Sequence, residues 1–254
     1  NGGDMDDLTT GKRNKRGDWV PNAPLATSPL FRLPPQLAKL PGWLPGYFLP
    51  WNLFYAVLAL VLWTWFSPSL ETTKTLSPDW ILYLLIRNEI LAILVYGAWH
   101  LWLYSWRKQG TAFKYNRQFP KDRAAGFAFG NQTWDNMFHT LASGVPIWTA
   151  YEVLLLWAYG NGWAPMITFA SHPVGFVAIF FLVPLIHEVG FYFCHRLLHI
   201  SPLYELAHKL HHRNVSPGPW SGLSMHPIEH AIYFSTILLF FFIPAHPVHM
   251  INLA

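Results

Sequence analysis

Residues 173–199 read PVGFVAIFFLVPLIHEVGFYFCHRLLH, an apolar run that passes without a break into histidines. Its length and lack of charge predict a membrane helix. At 100° per residue, such a helix carried through His199 places Glu188, His195 and His199 within an arc of about 40°, with Tyr192 beside them. Spacings of three and four recur downstream in His208, His211 and His212, and then in His226 and His230. Residues so spaced share one helix face. Neutral imidazole is the commonest protein metal ligand. The chain therefore reads as all-α, a polytopic transmembrane helix bundle with a histidine-rich metal site at one end.

Composition supports this reading. Of 254 residues, 52% are apolar and 12% charged, about half the charged fraction of ordinary soluble domains. Fourteen Trp, eleven Tyr and nineteen Phe suit two membrane–water interfaces. The single cysteine, Cys194, excludes an internal disulfide and a Cys-rich metal site. A net charge of +4 raises the question of nucleic acid. The basic residues lie mainly in the N-terminal segment and in loops, where they read as topology signals, so no nucleic-acid partner is expected. The chain opens on Asn1, which predicts a natural start further upstream. Residues 1–20 lack the apolar core of a signal peptide.

Two regions are expected. Residues 1–50 comprise a flexible polar tail (1–28) and a proline-broken apolar segment suited to lying on the bilayer or packing as a loop. Residues 51–254 form the membrane domain. Its spans are expected at 51–66, 80–104, 145–159, 173–193 and 228–243. Arg87 and Glu89 in the second span are two residues apart, so each needs a partner elsewhere. Lys12, Arg13, Lys15 and Arg16 precede the first span. Arg107, Lys108, Lys114, Arg117, Lys121 and Arg123 follow the second, and Arg196, Lys209 and Arg213 follow the fourth. The connectors 67–79 and 160–172 hold one Lys and no Arg. By the positive-inside rule the histidine segment faces the cytoplasm, of the endoplasmic reticulum or a bacterial inner membrane, and Ala254 lies on the far side.

Seven histidines from three elements (His195, His199, His208, His211, His212, His226 and His230) exceed what one tetrahedral zinc uses, so two metals are the economical reading. A zinc-protease helix needs a histidine three residues after Glu188, where Phe191 stands. Carboxylates are too few for a Glu-rich di-iron bundle. Nitrogen-rich ligation points to iron, with zinc or copper as alternatives. Glu188 and Glu229 are expected to orient histidines through the second ring nitrogen. His100, His139, His172, His246 and His249 read as structural, with His100 and His139 as lesser candidates. Metal loss is expected as pH falls below the imidazole range.

At these residues the chain resembles the fatty acid hydroxylase superfamily, also called the sterol desaturase family. His195-x3-His199 matches its first histidine motif and His208-x2-His211-His212 its second. Tyr192, Leu203-Tyr204 and His226-Pro227-x-Glu229 are similar to the sterol desaturase branch. The specific likeness covers about 45 residues, 188–229. The family's last H-x2-H-H cluster is absent from this sequence. Either it lies beyond Ala254 and the whole protein is the enzyme, or it is lost and at least one metal lacks ligands. The resemblance implies a membrane-bound di-iron oxidoreductase using O2 and an electron-transfer protein of cytochrome or ferredoxin type. The implied reaction is hydroxylation or desaturation of a membrane lipid, with Glu188, Tyr192 and Glu229 in the catalytic surroundings and Trp99, Trp102 and Trp148 as cavity aromatics. The alternatives are a structural or lipid-binding subunit of a membrane complex and a zinc-dependent membrane hydrolase.

Overall fold

Among the described residues, three helices are long and apolar enough to cross a membrane. Helix α3 (Pro78–His100) continues through a widened turn, Leu101–Ser105, to make 28 residues. Helix α4 (Gln132–His139) runs through a second widened turn, Thr140–Gly144, into α5 (Val145–Gly160), together 29 residues. Helix α6 (Pro173–Leu198) has 26. At 1.5 Å per residue these are about 39–44 Å long, against a hydrocarbon core of about 30 Å. A fourth crossing is the bent pair α1 (Leu40–Phe48) and α2 (Trp51–Phe66), which meet at 53° around Leu49-Pro50. The architecture is a computed structural model that describes residues 10–24 and 27–254.

A buried ion pair ties the bundle together. Arg87 Nη2 lies 2.6 Å from both carboxylate oxygens of Glu152. Asn88 Nδ2 donates to Glu152 Oε2 at 2.9 Å and to Thr149 Oγ1 at 3.0 Å. Arg87 Nη1 also reaches Phe66 O and Ser67 Oγ at the end of α2. A guanidinium inside an apolar bundle needs a carboxylate and several acceptors. Here they join α2, α3 and α5 at one level. Leu84, Leu155, Leu156, Phe240 and Met250 are fully buried in the surrounding core.

Four expectations are corrected. No helix is expected between the spans at 80–104 and 145–159, yet one begins at Gln132, where Asn131 caps α4 by accepting from Trp134 N at 3.0 Å. The buried face of α4 is polar (Gln132, Asp135 and Asn136), which hides the helix from an apolar-period reading. The polar tail is tied down over residues 11–21. There β1 (Gly11–Arg13) and β2 (Trp19–Pro21) form an antiparallel hairpin, and Arg13 donates to the carbonyls of Thr111, Lys114 and Tyr115. The expected fifth span is only 15 residues, Pro227–Phe241. It begins as α8 (Pro227–Phe234) and tightens into a three-residue-per-turn helix, Ser235–Phe241.

Lastly, Ala254 is not on the far side. Pro244 and Pro247 break the chain, and Ala245 pairs with the Pro165 and Ile167 backbone. Capped by His246, α9 (Pro247–Leu253) then turns back into the bundle against α2 and α6. His249 Nε2 donates to Phe176 O at 2.9 Å. Ala254 ends among Val183, Pro184, His187 and Glu188. Where α6 meets the tightened helix Ser235–Phe241, a Cβ on Gly190 would lie 2.4 Å from Thr236, so the helices approach as closely as small residues allow.

Candidate metal centre

Helix α6 ends because Ser201-Pro202 follows His199. Proline lacks the N–H that would extend the helix and disfavours helical geometry before it. The chain reverses and enters a widened turn, Tyr204–His208, and then α7 (Lys209–His212). This reversal brings two i,i+4 pairs face to face. His195 and His199 approach to 3.1 Å between Nε2 atoms, and His208 and His212 to 2.9 Å. One ring nitrogen from each of the four lies within 4.8 Å of every other. Tetrahedral nitrogens about 2.1 Å from a metal sit about 3.4 Å apart. The four rings therefore surround a space of ionic size.

The tautomers suit a cation. Glu229, buried on α8, accepts from His208 Nδ1 at 2.8 Å. The His208 proton is thereby held on Nδ1, and Nε2 turns its lone pair into the nest. His208 is held neutral, its pKa pushed down to about 3 by burial first and then by His212, His195, His199 and His211. Burial also lowers His212, with His199 adding to it. Tyr204 closes one side, its ring 5.7 Å from His199 and 5.8 Å from His212. It lies four residues before His208, so helical spacing alone would have placed it there.

The other expected residues lie elsewhere. His211 shares a helix with His208 and His212, but three residues on from His208 it points to the other flank. Its Nδ1 is 3.4 Å from Ser224 O. His226 caps α8, its Nδ1 accepting from Ile228 N at 3.2 Å. His230 is buried with both ring nitrogens engaged, Nδ1 with Ser143 Oγ and Nε2 with Leu223 O, each at 3.0 Å. Glu188 shares the His195 arc, but seven residues put it about 10 Å further along the helix, where it lines a cavity with Tyr47. Tyr192 is 58% exposed, its ring against Phe193. Sequence reasoning missed the supports: Ser143 and Leu223 for His230, and Arg213, which pairs with Asp135 and donates to Gly126 O.

The model of the fatty acid hydroxylase family matches residues 180–254, a region that contains the four-histidine nest and Glu229. Residues 180–254 are thus similar to the fatty acid hydroxylase family, and shorter stretches are similar to sterol desaturases. It is 50% identical over 48 residues to the human fatty acid hydroxylase domain-containing protein 2, covering 19% of this chain and 14% of that one. It is 40% identical over 43 residues to a Delta(7)-sterol 5(6)-desaturase of Aspergillus fumigatus, covering 17% and 13%. A probable Delta(7)-sterol 5(6)-desaturase of Neurospora crassa matches at 29% over 102 residues, 39% of this chain and 29% of its own length. The chain thus spans less than a third of the length of each of these relatives. No solved structure matches it.

Two expected outcomes follow from this geometry. Glu229→Gln keeps the shape but replaces the carboxyl group that holds His208 Nδ1 with an amide. Metal affinity should fall about 10–100-fold, read by chelator competition; unchanged affinity would remove Glu229 from the site. The second concerns pH. His208 titrates near 6.5 when unfolded but only near 3 in the fold. Below about pH 6.5 the unfolded chain takes up a proton that the folded one refuses, so the metal-free protein loses stability as pH falls towards 3. Thermal melts at pH 7 and 4.5 should show the lower midpoint at 4.5. Equal midpoints would contradict this.

Proposed function

We infer that this chain carries the metal-binding part of an O2-dependent hydroxylase or desaturase acting on a C–H bond of a membrane lipid. The observation that carries the reading is the convergence of four imidazole nitrogens within 4.8 Å at the end of an apolar membrane helix. The superfamily match supports the lipid as substrate class. His195, His199, His208 and His212 would hold one iron. His211 and His226, each with one ring nitrogen unengaged by the bonds described above, are the nearest reserve for a second. Bound iron supplies the one-electron chemistry needed to use O2 on an unactivated C–H bond, with electrons from a cytochrome- or ferredoxin-type protein.

The chain's own groups do the rest. Glu229 keeps His208 in the ligating tautomer. Phe191, whose ring lies 5.3 Å from His195, and Tyr204 shield the flanks of the nest from water. The nest belongs to the cytoplasmic side by charge. The Lys12–Arg16 turn is joined through Trp19 N and Tyr115 O to the basic 107–123 loop. Asn116 of that loop donates in turn to Val215 O, just after the nest, and Tyr104 at the end of the α3 helix donates to Pro217 O. Metal analysis of the purified full-length protein tests the reading. About two irons per chain with lipid oxidation supports it; zinc alone would mean a hydrolase, and no metal a structural subunit.

A further inference from the structure

The last turns of α3 carry a feature that the metal centre does not use. Trp99, Trp102 and Trp106, three and four residues apart, are all exposed, and the rings of Trp102 and Trp106 lie 6.4 Å apart. Exposed tryptophans at the end of a membrane helix settle at the headgroup level. Basic residues follow at once. Arg107 and Lys108 open a stretch, 105–131, that holds six Lys and Arg against one acidic residue, Asp122. Lys108 Nζ lies 6.0 Å from the Trp102 ring centre, which keeps this charge beside the aromatic belt.

Two of these cations, and one from the N-terminal hairpin, are brought together. Arg107 Cζ sits 4.3 Å and Lys114 Nζ 5.0 Å from the centre of one ring, Phe119. Lys114 Nζ is also 3.3 Å from the Tyr104 hydroxyl. Arg13, bonded to the Lys114 carbonyl, joins them. Burial first, and then Arg13, hold Lys114 below the usual lysine range. Among the described residues, neither Arg107 nor Lys114 has a carboxylate partner, and the Arg107 guanidinium has no hydrogen-bond acceptor. Like charges gathered without a counter-ion repel, and an unused guanidinium fork matches a phosphate. Phe113, beside Lys114, is 73% exposed at a φ of 62°. Bulky residues seldom adopt that backbone, and here it leaves an aromatic ring uncovered by protein next to the basic cluster.

We propose that Arg107 and Lys114, with Lys108 beside them, bind the phosphate of an anionic phospholipid at the membrane surface, its glycerol region against Trp102 and Trp106. Headgroup phosphate is the anion present at that depth, and basic clusters directly following a membrane helix attract anionic lipid. A zwitterionic lipid brings its own ammonium to a place already crowded with cations, so a net negative headgroup is favoured. This lipid is a bound neighbour of the protein and not the molecule to be oxidised. The proposal does not rest on the oxygenase reading.

The test uses the full-length protein in dodecyl maltoside, titrated with dioctanoyl phosphatidylglycerol, dioctanoyl phosphatidylcholine or inorganic phosphate, with bound molecules counted by native mass spectrometry. Wild-type protein should bind the anionic lipid at least about fivefold more tightly than the zwitterionic one, the effect of one cation at a headgroup surface. Arg107→Gly suits the left-handed backbone there, at a φ of 47°, and so keeps the fold. It should cost about fivefold in affinity for phosphatidylglycerol and leave phosphatidylcholine unchanged. Adding Lys114→Gln should bring the two lipids level. Lys39→Gln, which removes the same charge from an exposed position on another segment, should change neither affinity. Equal wild-type affinity for the two lipids overturns the proposal and hands the basic surface to an acidic protein. So does a preference that survives the double variant, or one that Lys39→Gln weakens as much as Arg107→Gly does. Inorganic phosphate that displaces phosphatidylglycerol at equal concentration would reveal a soluble-anion site and overturn the lipid assignment.

Discussion

His212→Ala should empty the metal centre while leaving the protein folded in its membrane. His212 is one of four converging ligands, and its side chain is exposed, so the substitution opens no core cavity. Loss of a ligating nitrogen should weaken metal binding by more than about 100-fold, since disturbing only the groups that orient ligands costs about 10–100-fold. Lipid oxidation should fall to background. Membrane insertion and the thermal midpoint of the metal-free protein should match wild type, which separates loss of the site from loss of the fold. A variant that keeps both iron and turnover would show that the four-ring nest is not where the metal sits.

The second large effect is on stability. Arg87→Met leaves the Glu152 carboxylate buried, with only Asn88 facing it. Breaking a buried pair from one side costs about 3–5 kcal/mol, enough to remove most of the margin of an ordinary domain. Yield of folded protein and resistance to thermal unfolding in detergent should both drop sharply. The double variant Arg87→Met with Glu152→Leu should recover most of the loss, because no unpaired charge remains. Equal stability of the single variant and wild type would mean that the pair does not hold α2, α3 and α5 together.

Much of the fold was legible because lipid imposes a simple rule. A run such as 173–186 can satisfy its backbone only as a helix, and its lack of charge marks it plainly. Helical spacing also made the site partly readable. His195 and His199 are one turn apart in sequence and face each other in space. Adjacent histidines were harder. His211 and His212 are neighbours in sequence, yet 100° of rotation sends one into the nest and the other towards Ser224. The arc shared by Glu188 and His195 was real, but an arc carries no height, and 10 Å of rise separates carboxylate from metal site. The features that escaped depend on partners far along the chain. The β1–β2 hairpin is seated by carbonyls about a hundred residues away. Helix α4 buries polar groups that pair with the 213–216 loop. The turn before α9 depends on the 165–167 backbone.

The Glu229–His208 contact also bears on biogenesis. All four rings of the nest fall between His195 and His212, so a chain emerging from the ribosome exposes them together before α8 has been made. Until that later helix docks, nothing pins the His208 proton, and the imidazole is free to swap tautomers. If the nest holds a metal as proposed, secure metallation would therefore wait on α8, a segment translated afterwards.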